Sequence, residues 1–245
     1  MALILGIVVI AKAGDIFVES ARRIAVALGV SQTFIALTLI AFATSAPEFF
    51  TSLIAAALGN VGISYGNVVG SNIINITPVL ALAAIFGVAQ IQNRGIIDAL
   101  FMVLIGGVLV LFSIDGTINP VEGLLLLTVF TLFIILAKSG EKRKTKKVRR
   151  VGSLGRLILI FAIGTVGLFI GARLLIYGGV GIAQQALVAA GLSPLEAEAA
   201  VGFTIIALGT SLPELATIVI SIKKRLHEIS LGTIIGSNIF NTGLI

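Results

Sequence analysis

Long apolar blocks separated by short polar gaps run along the whole chain. Because the hydrocarbon core of a bilayer is about 30 Å thick, a helix needs about 20 residues to cross it. Measured with that length, the pattern predicts an all-α polytopic membrane protein with about eight membrane-spanning helices. The predicted spans are residues 2–27, 33–57, 66–88, 96–114, 119–138, 153–178, 199–222 and 229–245.

The composition agrees with this pattern and excludes several classes of protein. Charged residues make up 11% of the chain, against about 25% in soluble domains. The absence of cysteine excludes a disulfide framework and a thiolate metal site. With one histidine, His227, an intramembrane triad or a multi-histidine metal site is also excluded, so Ser45 and Ser71 have no catalytic partner. The chain is therefore not expected to be an enzyme or to bind an organic cofactor.

The basic residues predict the orientation in the membrane, since Lys and Arg concentrate in cytoplasmic loops. Eight of the 17 lie between Lys138 and Arg150, which makes 139–152 a cytoplasmic loop and places the N-terminus outside. All other basic residues except Lys12 and Arg173 then fall at inner ends. The loop divides the chain into a first half, 1–138, and a second half, 153–245. No aromatic residue interleaves its charges, so nucleic acid is not an expected partner, whereas the lipid bilayer is.

The two halves share a repeated segment. Residues 37–76 align without a gap to residues 203–242 at a constant offset of 166, and the matches include polar residues, glycine and proline. Equivalent positions are separated by five predicted spans, an odd number, so the two copies cross the membrane in opposite directions. Such inverted repeats are typical of secondary transporters whose binding site lies at the midplane.

The repeated polar residues suit a cation. Glu48 and Glu214 lie in the middle of predicted spans, where an ionisable residue normally marks an ion path. Hydroxyl and amide residues recur at helical spacing around them, and hard cations such as Na⁺ and Ca²⁺ take such oxygen ligands. The candidate ligands are Glu48, Glu214, Thr44, Thr210, Ser45, Ser211, Ser71, Ser237, Asn75 and Asn241.

Two prolines add backbone oxygens to this set. Pro47 and Pro213 have no amide hydrogen, so both helices should bend there and leave carbonyls without an intrahelical partner. The carbonyls of Ala41 and Ala207 are candidate ligands. The glycines at 59–70 and 232–236 should permit close helix packing.

Counting charges suggests how transport is coupled. Glu48 and Glu214 carry two negative charges, which one Ca²⁺, two Na⁺ or two protons would neutralise. An empty site with two charges is costly to desolvate, so it should not change access readily, whereas a loaded site should. This difference predicts exchange rather than leak.

Other polar residues in the spans have structural interpretations. Asp15 and Glu19 are expected to be interfacial or paired with basic residues. Asn72 and Asn238 are expected to make interhelical hydrogen bonds.

The repeated segments resemble the alpha repeats of the calcium/cation antiporter superfamily, most of all the prokaryotic sodium/calcium exchangers. The resemblance rests on Ala43 to Glu48 with Gly66 to Asn75, and on Gly209 to Glu214 with Gly232 to Asn241. It implies ten transmembrane helices in two inverted halves, of which about eight are present here. It also implies a multi-pass protein of the prokaryotic cell membrane in which spans one and six slide across the ion-binding core.

By the same resemblance, the candidate ligands above, including the carbonyls of Ala41 and Ala207, would bind the transported Ca²⁺ and Na⁺. The chain departs from the family at Asn241, where several relatives have Asp, and at Arg173, where an acidic residue is common. It also ends at Ile245, inside the eighth span.

The identity of the counter-ion, Na⁺ or the proton, is the finest distinction that the sequence has to make. Proton-coupled relatives tend to replace the Thr-Ser that precedes the Pro-Glu turn, and this chain keeps Thr-Ser in both copies, which favours Na⁺. A proton/Ca²⁺ exchanger of the same superfamily is the alternative. A cation channel is the alternative from a different class, although channels usually build a pore from symmetric subunits.

Overall fold

Helices account for all regular secondary structure in the residues that the computed structural model describes, which are 1–59, 61–86, 93–139, 153–191 and 209–244. We number the α-helices in chain order and call two short π-helical segments π1 and π2. Their bounds are α1 Ala2–Leu28, α2 Gln32–Ile35, π1 Ala36–Ile40, α3 Ala41–Thr44, α4 Ala46–Ala57, α5 Val61–Ile74, π2 Asn75–Val79, α6 Leu80–Ile85, α7 Asn93–Phe112, α8 Pro120–Ser139, α9 Leu154–Ala189, α10 Leu212–Lys223 and α11 His227–Leu244.

The helices coincide with most predicted spans to within a few residues. Two helices depart further: α5 begins at Val61 and not at residue 66, and α9 continues to Ala189 and does not end at residue 178. The 36 residues of α9 correspond to about 54 Å, well beyond the bilayer core. No proline interrupts this stretch, so the helix does not have to end where the apolar block ends. The predicted basic loop and the start of the seventh span lie outside the described residues.

Local sequence signals set several helix ends. Gly29 follows α1 with a φ of 68°, a left-handed conformation that glycine adopts without steric cost. The side chain of Ser31 accepts a hydrogen bond from the amide of Phe34 at 3.0 Å and so caps α2. Ser153 caps α9 in the same way through the amide of Arg156.

Among the described residues, four helical stretches are long and apolar enough to cross a membrane. They are Val61–Ile85, Gly95–Phe112, Pro120–Ser139 and Leu154–Leu174. The bent pair Gln32–Thr44 and Ala46–Ala57 gives a fifth if it forms one span. The all-α polytopic class is therefore confirmed, and the number of eight crossings stays a prediction.

Helix α11 forms the centre of the described fold. Every residue from Gly232 to Gly243 is buried, and α11 contacts α2, π1, α3, α5, α7, α8 and α10. The close approach depends on glycine, since a Cβ added at Gly236 would lie 2.7 Å from the carbonyl oxygen of Leu37.

In the first repeat, three of the glycines that were expected to permit close helix packing do not do so. A Cβ added at Gly59, Gly62 or Gly66 would have no neighbour within 4 Å among the described residues. Helix α5, which carries Gly62 and Gly66, exposes a large part of its surface, whereas its counterpart α11 is enclosed. The two repeats therefore share a motif but differ in packing.

Helices α1 and α9 pack along each other through a second line of glycines. Gly164, Gly167 and Gly171 of α9 face Phe17, Ala13 and Ile10 of α1. Phe17 also stacks on Phe161 with ring centroids 4.6 Å apart. The missing side chains let the two backbones approach closely, which strengthens their van der Waals contact.

The two acidic residues of α1 are paired with basic residues, as expected. Asp15 forms an ion pair with Lys224, with 2.7 Å between Oδ1 and Nζ, and so connects α1 to the end of α10. Glu19 contacts both Arg22 and Arg23 at 2.8 Å.

The α1–α9 interface yields a prediction about stability. Replacing Gly164 with Ala should destabilise the protein by about 1–3 kcal/mol, because the new Cβ would lie 2.9 Å from the backbone of Phe17. Gly106→Ala is the matched control, since a Cβ at Gly106 has no neighbour within 4 Å in the described part of the chain. Thermal unfolding of the purified protein in detergent would measure both changes. Equal unfolding temperatures for the two variants would contradict the close packing at Gly164.

Candidate cation site

Two proline-containing helix breaks create the site. Ser45 separates α3 from α4 with φ −83° and ψ 5°, and Ser211 precedes α10 with φ −85° and ψ 1°. Pro47 and Pro213 follow within the first two positions of α4 and α10. In the first repeat the break bends the helix pair by 48°. The sequence prediction of a bend at Pro47 is therefore confirmed.

The two glutamates lie in the first turns of α4 and α10. Glu48 and Glu214 are each only 1% exposed. Their position places them at helix N-termini, where unpaired amides and the helix dipole favour negative charge. The folded chain therefore buries both carboxylates on the helices that follow the breaks.

Each carboxylate accepts a hydrogen bond from the serine of the other repeat. The hydroxyl of Ser45 donates to Glu214 Oε1 at 3.0 Å, and the hydroxyl of Ser211 donates to Glu48 Oε1 at 3.4 Å. The second oxygen of each glutamate, Oε2, is buried with no hydrogen-bond donor in the described part of the chain. Ser45 and Ser211 thus position the carboxylates in addition to being candidate ligands.

The remaining hydroxyls also pair across the repeats. Thr44 Oγ1 lies 3.4 Å from Ser237 Oγ, and Thr210 Oγ1 lies 3.4 Å from Ser71 Oγ. Ser71 and Ser237 are fully buried. The four hydroxyls that the sequence predicted as ligands therefore form two contacts between α-helices of opposite repeats.

Four asparagines form two further hydrogen bonds between the repeats. Asn75 donates to Asn238 Oδ1 at 3.0 Å, and Asn241 donates to Asn72 Oδ1 at 3.2 Å. These bonds confirm the interhelical role expected for Asn72 and Asn238. The Oδ1 atoms of Asn75 and Asn241 are buried and accept no hydrogen bond from described residues.

All three kinds of contact obey the symmetry of the repeat. Each contact has a counterpart in which both residues are replaced by their equivalents at the offset of 166. Ser45–Glu214, for example, corresponds to Ser211–Glu48. The symmetry also relates four buried oxygens of the site that have no donor among the described residues, which are Oε2 of Glu48 and Glu214 and Oδ1 of Asn75 and Asn241. A buried acceptor without a donor costs about 1–3 kcal/mol. Oxygen acceptors in this state are suited to a cation.

The backbone carbonyl of Ala41 behaves differently from the expectation. It accepts a hydrogen bond from the amide of Ser45 at 2.9 Å and from Thr44 Oγ1 at 3.2 Å. It is therefore not free in this structure, because Ser45 makes the ordinary i→i−4 bond to it and the amide hydrogen that Pro47 lacks would have served Ala43 instead. Its role as a ligand stays a prediction, and Ala207 lies outside the described residues.

Three residues with contacts to the site were missed by the sequence analysis. Asn67 binds the Glu48 backbone, Thr242 accepts a hydrogen bond from Asn72 at 2.8 Å, and Met102 Sδ lies 3.5 Å from Asn238 Nδ2. Asn67 precedes Ser71 by four residues, so helical spacing was a signal for it. No comparable signal marks Met102, because only the packing of α7 on α11 brings it to the site.

Comparisons with known proteins agree on one family. The family model described as "Sodium/calcium exchanger protein" matches residues 1–138 and 156–245. The chain is 35% identical to the putative antiporter CaxA of Alkalimonas amylolytica, over 97% of this chain and 76% of CaxA. It is 30% identical to the sodium/calcium exchanger MaX1 of Methanosarcina acetivorans, over 100% of this chain and 80% of MaX1.

A solved structure shares the fold. The sodium-calcium exchanger NCX_Mj, soaked with zero Na⁺ and Ca²⁺, superposes on this chain with a TM-score of 0.82. The two sequences are 31% identical, and the match covers 99% of this chain and 78% of NCX_Mj.

The geometry of the site predicts a cation-dependent stability. Because a ligand that binds only the folded state stabilises it, Ca²⁺ at 100 times its dissociation constant should add about 2.7 kcal/mol. The double variant Glu48→Gln with Glu214→Gln should lose this stabilisation, since it removes both charges at the site. Asp115→Asn, at an exposed turn, is the control and should respond like the wild type.

Thermal unfolding with and without Ca²⁺ is the measurement. Equal stabilisation of the double variant and the wild type would show that the cation binds elsewhere.

Proposed function

Because the chain belongs to the sodium/calcium exchanger protein family and is a membrane cation/Ca²⁺ antiporter, we propose that it exchanges Ca²⁺ for Na⁺ by alternating access. Both ions use the same midplane site, built from the paired glutamates, the hydroxyls and the asparagines. The observation that carries the proposal is that four buried oxygens of the site, two from each repeat, have no donor in the described part of the chain.

The chemistry of these groups suits Ca²⁺ and Na⁺. Ca²⁺ takes six to eight oxygen ligands, including carboxylates, amide oxygens and backbone carbonyls. Glu48 and Glu214 supply the charge, and Asn75 with Asn241 supplies neutral oxygens in the middle of the site. The hydroxyls of the two Thr-Ser pairs, with Ser71 and Ser237, complete the set. The carbonyls of Ala41 and Ala207 join it when the ion is bound.

The charge of the site explains why transport is exchange. One Ca²⁺ or two Na⁺ neutralise two buried carboxylates, whereas the empty site leaves both charges without a counter-ion in a poorly solvated interior. Moving the empty site past the apolar elements around it therefore costs more than moving the loaded site. Ca²⁺ thus leaves one side only when the counter-ion takes its place.

Helices α1 and α9 are the elements that move in this proposal. The glycines of α9 from Gly164 to Gly171 lie against Ile10 to Phe17 of α1. This close contact supports the movement of the two helices as one unit. The ion pair between Asp15 and Lys224 joins this unit to α10, the helix that carries Glu214. Displacement of α1 along α10 would change that contact and the access to the site together.

The same proposal includes the orientation in the cell membrane. Arg22 and Arg23 near the end of α1, and Lys223 to Arg225 near the end of α10, would face the cytoplasm with the loop 139–152. The N-terminus would then lie outside.

Reconstituted transport tests the coupling. Liposomes containing the protein should accumulate Ca²⁺ when an outward Na⁺ gradient is imposed and should not respond to an outward proton gradient. Glu48→Gln should abolish the uptake, and Asp115→Asn should leave it intact. Uptake driven by protons alone would identify a proton/Ca²⁺ exchanger, and Ca²⁺ entry that ignores both gradients would indicate a channel.

A further inference from the structure

Asn67 is a buried polar residue of α5 that connects three parts of the site. It is 3% exposed. Its Nδ2 donates to the backbone oxygen of Glu48 at 3.1 Å and to Ser52 Oγ at 2.9 Å, and its Oδ1 accepts a hydrogen bond from Thr210 at 3.4 Å. Both amide hydrogens and one lone pair are therefore used, which leaves the side chain one orientation.

The first two bonds hold the backbone of Glu48 against α5. Ser52 lies one turn after Glu48 and donates its own hydrogen to the carbonyl of Ser64 on α5 at 3.3 Å. Ser71, whose hydroxyl belongs to the site, lies one turn after Asn67 on the same helix face. The distance between the Glu48 carboxylate and the Ser71 hydroxyl is thus maintained by side-chain hydrogen bonds as well as by packing.

The third bond brings the Thr210 hydroxyl to α5. Thr210 Oγ1 lies 3.4 Å from Asn67 Oδ1 and 3.4 Å from Ser71 Oγ. A hydroxyl oxygen has two lone pairs besides its hydrogen, so Thr210 can face a cation while Asn67 holds it beside Ser71.

The second repeat lacks this arrangement among the described residues. The position equivalent to Asn67 is Thr233, whose hydroxyl donates to the carbonyl of Ile229 in its own helix at 2.8 Å. The position equivalent to Ser52 is Ile218, which has no polar side-chain atom. The Glu48 half of the site therefore has a side-chain connection that the Glu214 half does not.

We propose that Asn67 is a positioning residue that holds Glu48, Ser71 and Thr210 in ion-binding geometry. The inference rests on the proposed function, since it assigns a role within that site.

Asn67→Thr tests the role by introducing the residue found at the equivalent position of the second repeat. The variant should raise the Ca²⁺ concentration for half-maximal Na⁺-driven uptake about tenfold, the effect expected for losing hydrogen bonds at a charged site. The maximal rate should change less than twofold. A purely structural role would instead lower the maximal rate, through loss of folded protein, and leave the half-saturating concentration unchanged.

A second variant and a control complete the test. Ser52→Ala removes one acceptor of Asn67 with little change in volume, and it should raise the half-saturating Ca²⁺ concentration about threefold. Thr233→Ser, at the equivalent position of the second repeat, should leave both constants unchanged. Wild-type half-saturation in Asn67→Thr and Ser52→Ala would overturn the proposal, and so would an equal effect of Thr233→Ser.

Glu48→Gln, measured in the same assay, distinguishes a failure of the ion-site assignment from a failure of the role proposed for Asn67. If it leaves exchange intact, the assignment of the ion site is wrong. If it abolishes exchange while Asn67→Thr and Ser52→Ala respond to Ca²⁺ like the wild type, only the role of Asn67 is wrong.

Discussion

The burial of two carboxylates in an apolar helical protein is the constraint on which the rest of the structure depends. Glu48 and Glu214 are each 1% exposed, and an ionised carboxylate in such surroundings needs hydrogen bonds or a counter-ion. The helix breaks at Ser45 and Ser211 place both residues at helix N-termini. The serines at the breaks then supply one hydrogen bond to each carboxylate from the opposite repeat. These contacts satisfy one oxygen of each carboxylate, and the other oxygen is the one that we propose binds the cation.

The inverted repeat gives the site its symmetry, and the surrounding packing makes it unequal. Helix α11 is enclosed on nearly all sides, whereas α5 exposes much of its surface. Asn67 contacts Thr210 in the opposite repeat, whereas its counterpart Thr233 bonds within its own helix. The side-chain hydrogen bonds around the two carboxylates are therefore unequal, although the motif is repeated.

Much of this arrangement was predictable from local sequence. The length of the apolar blocks predicted the helices, and the prolines predicted the bend at Ser45, because both signals act within one or two helical turns. The doubled motif predicted that these side chains gather at one site, since the two copies of an inverted repeat meet at the midplane. The family comparisons confirm the exchanger assignment. The basic loop, the eight crossings and the coordination of ions stay predictions.

What the sequence determined by itself was the class of the protein, its inverted repeat and the chemical identity of the candidate ligands, because these follow from residue types and spacing. Only the tertiary structure decided which hydroxyl serves which carboxylate, that the Ala41 carbonyl is already occupied, and that Asn67 and Met102 reach the site. These facts depend on contacts between helices far apart in the chain. Such contacts are set by packing against α11 and by glycine positions such as Gly236, and no local pattern encodes them.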